Sequence, residues 1–166
     1  MRKALALLLA LTAGGCAMPQ TTQELRDVYK RDGSAANIDK YAVNRPFAAA
    51  FADVKANADQ CLNVRVTGGT FDGGVYYPDS ATWHSFSKKT SEKTAEVTLQ
   101  LDKRIGTPSK RPEGGWFMMV ADLEATAANK TDLTIYHPSA PAAYGNISRA
   151  MAAWADGKKA PCPKVP

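Results

Sequence analysis

Residues 95–101 alternate without a break. Ala95, Val97, Leu99 and Leu101 fall on one side, and Glu96, Thr98 and Gln100 on the other. A period of two sends successive side chains to opposite faces of a strand, so this run predicts one buried and one wet face, the pattern of an antiparallel sheet. The parity reappears downstream. After the continuous apolar run 116–121, Leu123 and Ala125 keep the parity of Phe117, Met119 and Ala121, while Asp122, Glu124 and Thr126 take the other. A turn at 128–130 leads to Leu133 and Ile135. An even-sum hairpin register would place those two beside Leu123 and Ala125. Further strands are expected at 62–67, 75–77 and 82–87, punctuated by glycine pairs and by Pro78-Asp79-Ser80. A short strand at 41–43 is also expected.

Two segments carry the other period. Phe47, Ala50, Phe51, Val54, Ala58 and Cys61 follow helical spacing behind Asn44-Arg45-Pro46, where Asn44 can cap and Pro46 suits the first turn. Ile147, Ala150, Met151 and Trp154 form a second stripe, with Asn146 as a candidate cap and Gly157 as a stop. The fold class expected is α+β: two layers, an antiparallel meander of about five strands, and an N-terminal and a C-terminal helix on one sheet face. The globular domain is expected to span 43–166. Before it, Thr21-Thr22-Gln23-Glu24 has capping-box form, and Leu25, Val28 and Tyr29 predict a short helix near 22–32 within a tether spanning 16–42.

The first sixteen residues have a different character. Arg2-Lys3 is a short positive region, residues 4–13 are apolar but too few to span a bilayer, and Ala13-Gly14-Gly15 precedes Cys16. This segment resembles a bacterial lipoprotein signal peptide with its lipobox. Ala13 stands where that pattern prefers leucine. The resemblance implies a signal peptide over 1–15, acylation of the Cys16 thiol and cleavage before it. Ala17, in place of an aspartate, implies retention at the outer membrane, facing the periplasm. Two or three acyl chains on one residue anchor stably where a single chain does not. With Cys16 committed to lipid, Cys61 and Cys162 are the remaining pair, and an exported chain predicts a disulfide between them.

The composition excludes more than it assigns. Hydrophobic residues make up 45% and charged residues 22%, a globular balance. The net charge of +5 falls to +3 without Arg2 and Lys3, too weak and too dispersed for nucleic acid. The two histidines and the paired cysteines make no metal-ligand spacing, so neither metal nor cofactor is expected. Ser85-Phe86-Ser87-Lys88 matches a Ser-x-x-Lys nucleophile signature but lacks its companion motifs. Asp122 and Glu124 share a strand face and form a candidate carboxylate pair, more simply a solvated face.

Two features suggest contact. The strand holding Trp116, Met118 and Val120 is apolar on both faces, so it is either covered or offered to a partner. The loop with Lys103, Arg104, Lys110 and Arg111 is basic and could face anionic lipid. The function expected is a non-catalytic binding or envelope-assembly accessory protein held to the membrane by its N-terminal lipid. The helix-plus-meander pattern is similar to that of accessory subunits of outer-membrane assembly machinery, a likeness of fold only. The alternatives are a small-ligand carrier using the 116–120 strand, or an enzyme with a site around Asp122, Glu124, Tyr136 and His137.

Overall fold

The computed structural model describes residues 18–31, 33, 35–103 and 111–166. Cys16, Arg104 and Lys110 lie outside them. In chain order the elements are α1 (Thr22–Arg31), β1 (Ala36–Val43), α2 (Phe47–Cys61), β2 (Val64–Asp72), β3 (Val75–Lys89), β4 (Thr94–Asp102), β5 (Trp116–Ala127), β6 (Lys130–Pro138) and α3 (Ala143–Ala155). The strands form one antiparallel sheet in the order β1-β6-β5-β4-β3-β2. Strands β2 to β6 are a meander. The chain reaches β2 from β1, at the opposite edge, by way of α2, which packs across β3 to β6.

The alternation sorts the inner face as expected. Val97 and Ala121, Leu99 and Met119, and Leu123 and Leu133 stand opposite one another, all fully buried against α2 and α3. The even-sum hairpin register holds through Leu123↔Leu133 and Ala121↔Ile135. Both helical stripes are buried in full, and each large apolar side chain removed from water contributes about 1.5–3 kcal/mol. Cys61, at the end of α2, is bonded to Cys162 in the C-terminal tail. That tail lays Ala160 and Val165 against the same core.

Several expectations need correction. There are six strands rather than about five, because Ala36–Val43 is a full edge strand and not a tether. Only its two ends, Ala36 and Val43, are buried; the strand is specified by backbone pairing to β6, which leaves no apolar alternation to read. Residues 75–87 are one strand, not two. Pro78 sits within β3 where that strand pairs with β2 alone, and a proline is tolerated where one side of the ladder is unused. Asn44 does not cap α2. Pro46 holds the N-cap position, and its carbonyl accepts from the amides of Ala49 and Ala50. Asn146 likewise lies inside α3, whose N-cap is Ala142. Gly157 does end α3. With φ at 74°, it lets its own N–H reach the Trp154 carbonyl and the Lys158 N–H reach that of Ala153.

The largest departure from two layers is α1. It lies on the outer face of the sheet, opposite α2 and α3, with Leu25 only 1% exposed. Val120 is 0% exposed on that face, and the Tyr29 hydroxyl donates to the Met118 carbonyl at 3.2 Å. The strand that is apolar on both faces is thus covered by the chain's own N-terminal helix.

Candidate functional site

One bond of the expected capping box forms at the start of α1, and the return bond goes to Gln20 in place of Thr21. The Thr21 Oγ1 accepts from the Glu24 amide at 3.1 Å, and the Glu24 carboxylate accepts from the Gln20 amide at 2.7 Å. One turn further on, Arg26 reaches the sheet. Its Nε and one terminal nitrogen donate to the two oxygens of Asp122 at 2.9 and 2.6 Å, and that same nitrogen also donates to Glu96. Asp122 and Glu96 are direct cross-strand partners, so two like charges stand opposite each other with a guanidinium as the bridge.

The electrostatics follow from this geometry. Burial works against the charge on Arg26, but its hydrogen bonds to Asp122 and Glu96 outweigh burial and raise its pKa. Burial also opposes ionisation of Glu96. Hydrogen bonds from Arg26, Lys88 and Thr22 prevail and hold its carboxyl below the ordinary value of 4.5. In the unfolded chain Glu96 takes up a proton at higher pH than in the fold, so this contribution is complete above 4.5 and is lost as pH falls through the depressed value. The urea midpoint is expected to decline as the solution is acidified below 4.5, and less steeply in Glu96→Gln. Equal acid limbs in the two proteins would contradict the assignment.

Because α1 covers only the β1-β6-β5 side of the outer face, the β4-β3 side remains open. There it leaves a groove of about 580 Å³. That is the size of a small-molecule site. Its floor is the polar side of β4: Glu96, Thr98 and Gln100, at 5%, 5% and 3% exposure. This is the face that alternation alone predicts to be wet. The alternation marks it as separate from the core but carries no sign that α1 and the 112–115 turn flank it. Phe86 and Phe117 supply aromatic surface, Lys88 and Glu113 supply charge, and Gln20, Thr21 and Thr22 form the end nearest α1.

Parity predicts Phe117 on the inner face with Met119. It is on the outer face because Phe117 opposes Gln100 while Met119 opposes Leu99, leaving Met118 as the extra residue of a β-bulge. Gly114 and Gly115 explain themselves here. A Cβ on Gly114 would lie 2.3 Å from the Gln100 Oε1 and 2.6 Å from the Phe86 ring. One on Gly115, at φ 108°, would lie 2.3 Å from the Leu101 carbonyl. Only glycine allows this turn to lie so close to the groove. The Gln100 Oε1 is buried and has no hydrogen-bond partner.

The structure separates most of the residues singled out from sequence. Trp116 and Val120 are buried, 4% and 0% exposed, and so do not form a surface for a partner. Asp122 and Tyr136 are on the outer face, His137 is on the inner face at 1% exposure, and Glu124 is exposed; they do not converge. The carboxylate partner of Asp122 is Glu96, not Glu124. Ser85 and Lys88 point to opposite faces of β3. Of the basic loop, Lys103 is paired with Asp79, and Arg111 with Asp102 at 2.5 Å. Among the described residues no group of three or more His, Cys, Asp or Glu is placed to hold a metal ion, and no helix is long and apolar enough to cross a membrane.

A second polar cluster leaves no signal in the sequence. Asp39 on β1 accepts from the Ser148 hydroxyl of α3 at 2.6 Å and lies 3.0 Å from the His137 Nε2. The His137 Nδ1 is 2.7 Å from the Pro138 carbonyl, and the Tyr41 hydroxyl is 3.1 Å from that of Ser148. Burial raises the Asp39 pKa, but the bonds from Ser148 and His137 outweigh it and lower the value overall. Ser148 donates to the carboxylate and not to the imidazole, so this is no Ser-His-Asp relay. Its effect is to tie an otherwise weakly specified edge strand to β6 and α3.

No family model matches the chain, and no curated protein matches it in sequence. Among solved structures, it is similar to the di-domain ARO/CYC StfQ from the steffimycin biosynthetic pathway, at 10% identity and a TM-score of 0.34. That match covers 81% of this chain and 58% of the other, so the chain spans little more than half its length. It is also similar to Ara h 8.0201, at 12% identity and a TM-score of 0.33, over 74% of this chain and 95% of that one. Likeness at this level assigns neither ligand nor activity.

Proposed function

We propose that the chain is an exported, non-catalytic binding protein, anchored at the outer membrane through an acylated Cys16 and facing the periplasm, with the outer-face groove as its small-ligand site. The observation that carries the binding half is the groove floor. A buried carboxamide oxygen on Gln100 lacks a partner in a concave site flanked by Phe86 and Phe117. Buried polar atoms are nearly always satisfied, so an orphan in a groove is a place for a ligand to bond. This puts the site on the opposite side of β4 from the core, with Phe117 as the contribution of the 116–120 strand to its described lining.

Binding is tested by titrating the protein with a set of small aromatic fragments and following backbone amide resonances. Perturbations are expected at Thr21, Phe86, Gln100 and Phe117. Phe86, 48% exposed, is open enough to be cut to alanine without unfolding the domain. Phe86→Ala is expected to cost about 1 kcal/mol of affinity, roughly fivefold. Perturbations elsewhere, unaffected by Phe86→Ala, would count against the groove. The anchor is tested separately. Cys16→Ser is expected to abolish acyl labelling and release the domain into the soluble fraction; unchanged labelling would refute it.

A further inference from the structure

We infer that the groove takes a protonated amine, recognised through its N–H donors. This rests on the groove being the binding site, as proposed above. Among the described residues two polar groups face the groove without partners; the Ser87 Oγ also has none, but Ser87 stands opposite Val97 and so on the inner face. Gln100 Oε1 is buried at the floor with no hydrogen bond, and the exposed Glu113 carboxylate makes no ion pair among the described residues. Both are acceptors. The other charges in the lining already have partners: Lys88 is 3.0 Å from Glu96, which Arg26 also holds. Among the described lining residues, Lys88 and Glu96 offset each other and Glu113 leaves one net negative charge.

A ligand that satisfies the site therefore brings donors and positive charge. A neutral acceptor or an anion would leave Gln100 unmatched and would face Glu113. Phe86 and Phe117 complete the fit, since an ammonium is attracted to an aromatic face and an apolar frame packs against the rings.

The amine has two candidate sources. It is either a soluble organic amine or the ammonium of a membrane lipid headgroup. Gln20 lies only four residues after Cys16, a span of about 14 Å at full extension. If Cys16 carries lipid, the groove mouth is within reach of headgroups.

The test uses phenethylamine and its N,N,N-trimethyl analogue, which keeps the charge and the ring but has no N–H. The protein is the Cys16→Ser chain, so that no anchor contributes. Phenethylamine is expected to bind at least tenfold more tightly than the trimethyl analogue. Gln100→Leu is expected to lose about tenfold of its affinity, the size of one hydrogen bond to a charged group. Glu113→Gln, at an exposed site that should not disturb folding, is expected to lose severalfold and to weaken the salt dependence. In a second arm, vesicles containing phosphatidylethanolamine are compared with vesicles of phosphatidylcholine. Selective binding to the first assigns the lipid source, and binding of phenethylamine alone assigns the soluble one. Equal affinity for the primary and quaternary amines, or none lost in either variant, overturns the amine assignment. Binding of phenylacetate or benzyl alcohol at the groove in preference to phenethylamine also overturns it while leaving the groove as the site. If none of these four probes perturbs the groove residues, the groove itself is not the site.

Discussion

Replacing Arg26 by methionine is expected to destabilise the protein by about 3 kcal/mol. The side chain is 14% exposed and holds two carboxylates that face each other across β4 and β5. Without it, Glu96, at 7% side-chain exposure, and Asp122, at 34%, repel directly, with Lys88 and Thr22 left beside Glu96. Asp122 keeps some access to water, which puts the figure at the lower end of the range for breaking a buried pair. For a domain of this size, that is a fall in Tm of roughly 10 °C. Adding Glu96→Gln and Asp122→Asn to Arg26→Met is expected to restore much of the loss, because most of the penalty is uncompensated charge. Chemical denaturation of the single and triple variants checks this. A single-variant loss below about 0.5 kcal/mol would mean that α1 is not docked as described, since surface changes fall within that range.

Opening the Cys61–Cys162 bridge is expected to have a comparable effect. The bonded residues are 101 positions apart, and cross-linking a loop of that length is worth about 4.7 kcal/mol in the chain-entropy model, an upper figure. Removal of a native bridge more often costs about 2–5 kcal/mol. The bridge ties the end of α2 to the tail that places Ala160 and Val165 on the core. The double variant Cys61→Ser, Cys162→Ser is therefore expected to unfold at markedly lower urea, with its C-terminal amides the first to lose exchange protection. Equal midpoints for the oxidised and double-serine proteins would contradict this.

These effects differ in how readable they are from sequence. The bridge follows from cysteine arithmetic once Cys16 is assigned to lipid, and the core follows from two clean periodicities: the stripes of α2 and α3, and the alternation along β4 to β6. Arg26 cannot be found that way. It sits in a helix with three apolar residues, which reads as marginal, and its partners are 70 and 96 positions away. Alternation marks Glu96, Thr98 and Gln100 as a separate face, but only tertiary structure shows that α1 and a glycine turn flank that face to make a groove. Phe117 is hidden by a single inserted residue, because one bulge reverses parity and leaves no mark in composition. β1 escapes because an edge strand can be held by its ladder and by a polar cluster, here Asp39, His137 and Ser148, without an apolar face. The site thus lies where the sequence pattern is weakest, at the junction of an isolated-looking helix and the polar side of a strand.

The outer-face groove, and not an edge or the core face, is where this protein is expected to meet its ligand. The most direct measurement is photocrosslinking in intact cells, with a photoreactive residue placed at Gln20 in the groove mouth and, for comparison, at Val66 on the β2 edge. Intact-mass analysis is then expected to find an adduct of small-molecule mass on the position-20 protein and none on the position-66 protein. Adducts of protein mass at position 20, or small-molecule adducts at position 66 alone, would contradict the groove as the ligand site.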